Sequence, residues 1–325
     1  MSETDESALP PRVSGDQGAT PRTPAAPQAN QTWTVAALLQ WTAQRFAAAK
    51  LPSPRTDAEY LLAHALGCSR MQLYVQHDMA VGAQERTRFR EVVKRRLAHE
   101  PVAYIEGKRG FHALDLELAV DRRVLVPRPE TELLVDWVVE RLAAPAEGVA
   151  PAVVDIGTGS GAIALSLARA RPDLAVTATD VSADALDVAR ANAERAELSQ
   201  VTFAAADVYE GLATPDGGWA AIVSNPPYID TATLEGLAPD VRDWEPRQAL
   251  DGGPDGLVVI RRLVGGAAER LAPGGFIAFE IGFDQGPAAV ALCKEHGLVD
   301  VQARKDHAGH DRMVMGRKLG APAGG

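Results

Sequence analysis

The chain of 325 residues carries a formal net charge of −10 at pH 7, with 46% hydrophobic and 23% charged residues. This length accommodates two domains with at least one large core, and the acidic balance argues against a broad nucleic-acid-binding surface, because phosphate contacts dominate such binding. Two isolated cysteines, Cys68 and Cys293, together with the lack of a bilayer-length apolar run or a secretory hydrophobic segment, predict a cytoplasmic protein without disulfides or a membrane anchor.

The N-terminal third is predicted to be helical after an unstructured extension. Residues 1–31 are rich in Pro, Ala, Ser and Gly and have few large apolar side chains, so we expect them to be disordered. Apolar residues at helical spacing predict a helical domain over residues 32–106, in which Thr34 caps the first helix and Gly67 ends the second. The basic face of a third helix, near residues 82–99, is either a solvated surface or a docking face for an acidic partner.

Two connecting segments precede the large C-terminal domain. Alternating apolar and polar residues predict a β-hairpin connector over residues 107–126. The stiff segment Pro127–Glu132 then leads into an amphipathic helix. Its acids favour the helix macrodipole, while its Pro-x-Pro sequence is suited to lining a site entrance. We expect one α/β domain over residues 127–318 and a flexible tail over residues 319–325.

A glycine-rich turn joins a predicted strand to a predicted helix in this domain. The strand Ala152–Ile156 is followed by Gly157-Thr158-Gly159-Ser160-Gly161, a layout that lets the backbone approach a nucleotide-like ligand. About 20 residues further on, a second strand ends at Asp180, where a carboxylate can accept hydrogen bonds from both hydroxyls of a ribose. Asp155, just before the glycines, suits a cationic sulfonium ligand with an amino group better than the pyrophosphate of NAD.

A second candidate motif ends the apolar strand that contains Ile222 to Ser224. The sequence Asn225-Pro226-Pro227-Tyr228 terminates this strand, because proline lacks a backbone N–H and pushes the preceding residue to extended geometry. One interpretation is an ordinary Asn-Pro turn. The other is a clamp for a planar –NH2 group, formed by the Asn225 amide oxygen, the Pro226 carbonyl and the face of Tyr228.

The remaining elements give fewer candidates. A strand near Val201–Phe203 leads to Asp207, which is either a ligand of an adenine amino group or an ordinary strand-end residue. Residues 229–256 are predicted to form a long irregular loop beside the substrate. His307 and His310 lack a third and fourth ligand, so no metal is assigned. Further strands are predicted over Phe276–Ile281, near Val299–Val301 and near Met313–Met315.

The order of these motifs is typical of a doubly wound parallel sheet that binds ligands at the carboxyl ends of its strands. Together they predict an S-adenosylmethionine-dependent methyltransferase that modifies an amino or amide nitrogen. A nucleic-acid methyltransferase acting on adenine N6 or guanine N2 is the main alternative, but it needs a base-flipping pocket and a basic surface. A non-catalytic binding module that keeps the fold is disfavoured by the intact Asn-Pro-Pro-Tyr motif.

With these residues in place, the chain resembles the protein-glutamine methyltransferases that modify peptide chain release factors, the PrmC/HemK family. The resemblance runs from about Thr32 to Lys318. The segment Pro127–Glu132 (PRPETE) and the helical N-terminal domain are its most selective parts, since many methyltransferases share the other motifs. The remaining matching segments are Arg96–Gly107 (RLAHEPVAYIEG), Asp155–Gly161 (DIGTGSG), Asn225–Tyr228 (NPPY), Glu245-Pro246, Ala249-Leu250, Asp255–Leu257, and Asp306, Gly309 and Arg312.

The resemblance implies a seven-stranded, Rossmann-like class I methyltransferase domain behind a small helical bundle that docks the substrate. The implied reaction transfers a methyl group to N5 of the glutamine in the Gly-Gly-Gln loop of class 1 release factors, which are then the partners. We expect a monomer with no direct nucleic-acid binding. Which residue packs on the adenine, Val208 or Tyr209, stays open, as does the proton acceptor. The expected cofactor contacts are Gly157 to Gly161, Asp180, Asp207, Val208 and Asn225, and the expected substrate contacts are Asn225, Pro226, Pro227 and Tyr228, of which Asn225, Pro226 and Tyr228 are catalytic.

Overall fold

A computed structural model describes residues 32–112, 116–143 and 149–320 of the chain. The predictions for residues 1–31, for the turn of the hairpin and for residues 321–325 lie outside these ranges. Internal contacts divide the chain into two compact units, with the division between Val93 and Lys94.

The first unit is helical. The predicted cap is confirmed, because the Thr34 hydroxyl oxygen accepts a hydrogen bond from the backbone N–H of Ala37 at 3.2 Å. Gly67 ends the second helix in a left-handed conformation, as predicted. A short helix over Arg70–Val75, which begins with a capping box between Ser69 and Gln72, was not predicted. The helix predicted near residues 82–99 is therefore the fourth. The helices are α1 (Val35–Ala48), α2 (Pro54–Leu66), α3 (Arg70–Val75) and α4 (Ala83–Leu97), of which α4 crosses the division between the units.

The second unit contains a seven-stranded sheet with the order β5-β4-β3-β6-β7-β9-β8, which confirms the predicted fold class. Strand β9 runs antiparallel to its neighbours β7 and β8, whereas β5, β4, β3, β6 and β7 pair in parallel. The elements in chain order are α5 (Val102–Glu106), the antiparallel hairpin β1 (Lys108–Phe111) and β2 (Leu116–Ala119), α6 (Pro129–Arg141), β3 (Ala152–Ile156), α7 (Ala162–Ala170), β4 (Ala175–Asp180), α8 (Ala183–Arg195), β5 (Thr202–Ala205), β6 (Trp219–Ser224), α9 (Pro239–Arg242), α10 (Val258–Arg270), β7 (Leu271–Glu280), α11 (Gly286–Glu295), β8 (Val299–Lys305) and β9 (Asp311–Arg317).

Both faces of the sheet are covered by helices, as a parallel sheet requires. Neighbouring residues of β3 serve opposite faces: Val153 packs with side chains of α6 and α7, and Val154 packs with side chains of α10 and α11. Helices α10 and α11 were not predicted, and β7 begins at Leu271 rather than at Phe276. Within the described residues, no helix combines the length and the apolar character needed to cross a membrane.

The centre of the sheet determines where a ligand can bind. Strand β3 pairs with β4 on one side and with β6 on the other, so the chain order reverses at β3. Ile156, the last residue of β3, is in register with Thr179 of β4 and with Ser224 of β6. The glycine turn, Asp180 and Asn225 therefore follow three adjacent strand ends, at the crevice where such sheets bind ligands.

Candidate active site

A cavity of about 630 Å³ lies at this carboxyl edge of the sheet. It brings together most of the residues predicted from the two motifs, but Gly161 and Tyr228 are not among the described residues that line it. The predicted residues that do line it are Gly157, Thr158, Gly159, Ser160, Asp180, Asp207, Val208, Asn225, Pro226 and Pro227.

The glycine turn is held open toward the cavity by its backbone. The N–H groups of Gly157 and Thr158 both donate to the Thr179 carbonyl at 2.8 Å, which fixes the start of the turn against β4. Gly157 and Gly159 adopt left-handed conformations, and a Cβ on either would meet no atom within 4 Å. Gly161 is different, because a Cβ there would approach Leu165 Cδ1 at 3.1 Å. Gly157 and Gly159 thus leave room for a ligand, and Gly161 allows close packing at the start of α7.

Asp155 supports the turn from below rather than facing the cavity. Its side chain is fully buried, and Oδ2 accepts hydrogen bonds from Thr158 Oγ1 at 2.7 Å and from the Ala164 N–H at 3.1 Å. Oδ1 has no hydrogen-bond partner among the described residues. Burial raises the pKa of Asp155 to about 7, although the two hydrogen bonds act against this rise. Asp155 is accordingly not among the described residues that line the cavity.

Asp180 faces the cavity and also shapes it. Its Oδ2 accepts from the Gly159 N–H and its Oδ1 from the Ser182 N–H, both at 2.9 Å. Burial raises the pKa of Asp180, and these backbone donors partly oppose the rise. Because a carboxylate oxygen can accept more than one hydrogen bond, both oxygens keep acceptor capacity for the hydroxyls of a ribose.

The segment after β5 places Val208, and not Tyr209, on the cavity. Val208 lines the cavity in a left-handed conformation, with φ of 58°. Tyr209 turns the other way, and its hydroxyl donates to the Leu263 carbonyl of α10 at 2.6 Å. Asp207 lines the cavity too, but its Oδ1 accepts from Arg262 Nη1 at 2.8 Å. Arg262 is a cavity residue that was missed.

The Asn-Pro-Pro-Tyr segment follows β6 and is anchored by hydroxyl groups. Ser224 Oγ donates to the Ile156 carbonyl at 2.7 Å, which ties the ends of β6 and β3 together. Asn225 Nδ2 donates to Thr131 Oγ1 at 3.1 Å. The Tyr228 hydroxyl donates to Glu280 Oε1 at 3.1 Å, so this half-buried ring is held by its polar end.

The long segment after Tyr228 forms one wall of the cavity through Thr231, Pro246, Gln248, Ala249, Asp251 and Gly253. It is mostly irregular, as predicted, apart from α9 and two short 3₁₀ turns. One Arg128 nitrogen donates to both carboxylate oxygens of Glu245 at 2.7 and 2.8 Å, and the Arg122 guanidinium lies 3.9 Å from the centre of the Trp244 ring. The wall is thereby fastened to the segment before α6.

Both interpretations of the segment Pro127–Glu132 apply, but to different residues. Pro127 and Thr131 line the cavity, as expected for an entrance segment. Glu130 and Glu132 lie in the first turn of α6, where an acid favours the macrodipole.

Comparison with known proteins assigns the chain to a family. A family model for the PrmC N-terminal domain matches residues 37–107, and one for the methyltransferase small domain matches residues 130–238. The release factor glutamine methyltransferase of Rhodopirellula baltica is 42% identical over 289 residues, which cover 88% of this chain and 97% of that protein. The protein of the same name from Geobacter sulfurreducens is 40% identical over 287 residues, covering 88% of this chain and 98% of that protein.

The chain belongs to the release factor glutamine methyltransferase family.

Several polar residues of this family member were missed from the sequence. Glu280 had a usable signal, because an acid that ends an apolar strand lies at the carboxyl edge of the sheet. Arg262 had none, since α10 itself was not predicted. Asn192 of α8 also had none, although its side chain donates to the Ser160 carbonyl at 2.9 Å and so supports the glycine turn.

The raised pKa of Asp155 predicts how the free energy of unfolding changes with pH. Between its ordinary value of 3.8 and its folded value of about 7, the folded chain binds a proton that the unfolded chain has lost, so this group lowers stability as pH rises. Relative to the natural chain, Asp155→Asn should gain stability from pH 4 to pH 7 with a slope of up to about 1.4 kcal/mol per pH unit.

Chemical denaturation at a series of pH values measures this difference. Asp173→Asn is the control, because Arg171 lowers the pKa of that surface carboxyl and no gain is expected in the same range. A stability difference for Asp155→Asn that does not change with pH would contradict the prediction.

Proposed function

We propose that this chain transfers the methyl group of S-adenosylmethionine to the side-chain amide nitrogen, N5, of the glutamine in the Gly-Gly-Gln loop of class 1 peptide chain release factors. The reaction would take place in the cytoplasm and modulate translation termination. One observation carries the proposal beyond family membership: the glycine turn and the Asn225 to Pro227 segment line a single cavity at neighbouring strand ends.

The described residues fit an adenosine with a cationic tail. Asp180 offers acceptors to the ribose hydroxyls, and Val208 offers an apolar surface to the adenine, beside Asp207. Gly157 and Gly159 leave space for close approach of the backbone. When bound, S-adenosylmethionine supplies a methyl group made electrophilic by the sulfonium charge, and a wall containing Asp180 favours a cation over a pyrophosphate.

Positioning of the substrate amide would be the main contribution of the chain. An amide nitrogen is a poor nucleophile, because its lone pair is delocalised into the carbonyl group. The Asn225 amide oxygen and the Pro226 carbonyl would accept its two N–H hydrogens and turn the nitrogen toward the methyl group. Such orientation contributes several kcal/mol, up to roughly 7–11 in the best intramolecular cases. Contact of the Tyr228 ring with the substrate amide stays a prediction.

The partner in this proposal is a protein, bound by a monomeric enzyme. A net charge of −10 disfavours the nucleic-acid alternative. The free cysteines, Cys68 and Cys293, accord with a reducing compartment.

Methyl transfer can be measured directly. The purified chain is incubated with S-adenosylmethionine and an unmodified class 1 release factor, and mass spectrometry examines the peptide that carries the Gly-Gly-Gln loop. We expect one added methyl group on the glutamine, and a rate at least about 100-fold lower for Asn225→Ala, as when one preorganised polar group is removed from an active site.

Gln200→Ala, which removes an exposed amide side chain, is the control and should retain full activity. An unmethylated glutamine, with cofactor binding verified and the substrate shown to accept methyl groups from a known enzyme, would overturn the proposal and direct attention to nucleic acids.

Cofactor binding is testable without methyl transfer. Asp180→Asn places an –NH2 group where two backbone N–H groups and two ribose hydroxyls need acceptors. We expect the affinity for S-adenosylmethionine to fall about tenfold or more, which corresponds to at least about 1.4 kcal/mol. Calorimetric titration measures the affinity, and Asp173→Asn, at a surface carboxylate paired with Arg171, should leave it unchanged. Equal affinities for S-adenosylmethionine in the natural chain, Asp180→Asn and Asp173→Asn would rule out the assigned role of Asp180.

A further inference from the structure

Two consecutive hydrogen bonds link the Asn225 side chain, through Thr131, to the buried carboxylate of Glu280. Asn225 Nδ2 donates to Thr131 Oγ1 at 3.1 Å, and Thr131 Oγ1 donates to Glu280 Oε2 at 2.7 Å. The Tyr228 hydroxyl donates to the other oxygen, Oε1, at 3.1 Å. Thr131 and Glu280 are 3% and 1% exposed, so water does not compete for these bonds.

The chemistry of the three side chains determines which group donates and which accepts in each of these hydrogen bonds. An ionised carboxylate only accepts hydrogen bonds, whereas a hydroxyl has a single hydrogen to donate. The hydrogen of Thr131 is committed to Glu280, so its oxygen can only accept from Asn225. The –NH2 end of the Asn225 amide must then face Thr131, which leaves the amide oxygen for a ligand in the cavity.

Two hydroxyl donors and one positive charge act on the buried Glu280 carboxyl, whose pKa is nevertheless raised overall. Burial raises the pKa of this carboxyl, and the hydroxyl donors Thr131 and Tyr228 and the charge of Arg312 act against the rise. Arg312 is itself held by hydrogen bonds to Asp306 Oδ2 at 3.3 Å and to the Ile281 carbonyl at 3.4 Å.

We propose that Glu280 and Thr131 are positioning residues that orient the Asn225 amide with its oxygen toward the substrate. The site thereby selects a ligand that presents N–H hydrogens, and disfavours a carboxylate or a carbonyl oxygen at the same position. This inference rests on the proposed function and adds the residues that set its specificity. Glu280 is not among the described residues that line the cavity, and the hydroxyl of Thr131, which does line it, is engaged by Glu280 and Asn225. Both residues therefore act through Asn225.

The orientation of the amide can be observed without any substrate. The chain contains three asparagines, Asn30, Asn192 and Asn225, so selective ¹⁵N-asparagine labelling yields three side-chain –NH2 signals, which Asn225→Ala and Asn192→Ala assign. We expect one Nδ2 hydrogen of Asn225 to be shifted and protected from exchange in the natural chain and in Thr131→Ser. Thr131→Val should abolish this protection and leave the Asn192 signals unchanged. Two equivalent, rapidly exchanging Asn225 hydrogens in the natural chain would overturn the inference.

The kinetic consequence distinguishes orientation from packing. Thr131→Val keeps the shape of the side chain and removes the hydroxyl, whereas Thr131→Ser keeps the hydroxyl and removes a methyl group. We expect kcat to fall about tenfold or more in Thr131→Val and to stay within about threefold in Thr131→Ser, with the affinity for S-adenosylmethionine unchanged in both. Glu280→Gln should resemble Thr131→Val, because its –NH2 must face one of two hydroxyls that both need an acceptor.

Thr42→Val is the matched control, since Thr42 is a fully buried threonine of α1 whose hydroxyl has no partner among the described residues. Melting temperatures of all variants identify any that fail to fold. Equal kcat values for Thr131→Val and Thr131→Ser would overturn the inference. A natural chain that leaves the release factor unmethylated overturns the proposed function instead, and the NMR result then decides the orientation alone.

Discussion

The site depends on the parallel pairing of β3 with β6. This pairing places Ile156 opposite Ser224, so the chain leaves both strands at the same level, once into the glycine turn and once into the Asn-Pro-Pro-Tyr segment. The Ser224 hydroxyl bond to the Ile156 carbonyl locks that register at 2.7 Å. A slip of one residue would turn β6 over and separate the two halves of the cavity. The hydrophobic pattern of the central strands is therefore also what brings the glycine turn and the segment Asn225 to Pro227 to one cavity.

Buried carboxylates hold the loops around this edge. Asp155 fixes the glycine turn, Glu245 fixes the wall after Tyr228 through Arg128, and Glu280 fixes Thr131 and Tyr228. Burying a charge is costly unless it is paired or hydrogen-bonded, and each of these groups accepts at least two hydrogen bonds or an ion pair. The consequence is a cavity whose polar groups have set directions before a ligand enters, which is what orienting a weak nucleophile requires.

The parts of this arrangement that were predictable have local signals. Strand β3 and its glycines, and β6 and its prolines, are read directly from apolar runs and chain breakers. Helix α10 was missed because Gly265 and Gly266 lower helix propensity at its centre. In the structure Gly266 lies under Tyr209, and a Cβ there would approach the ring at 2.5 Å. The bond between Thr131 and Glu280 was beyond prediction, because it joins residues 149 positions apart and depends on strand order.

The claim that the Asn225 amide oxygen receives the substrate is tested most directly by a crystal structure of the chain with S-adenosylhomocysteine and a release factor carrying an unmodified Gly-Gly-Gln loop. The account predicts the glutamine amide nitrogen within about 2.7–3.2 Å of both Asn225 Oδ1 and the Pro226 carbonyl oxygen, with Asn225 Nδ2 still on Thr131. A glutamine bound outside this cavity, or one whose carbonyl oxygen accepts from Asn225 Nδ2, would contradict it.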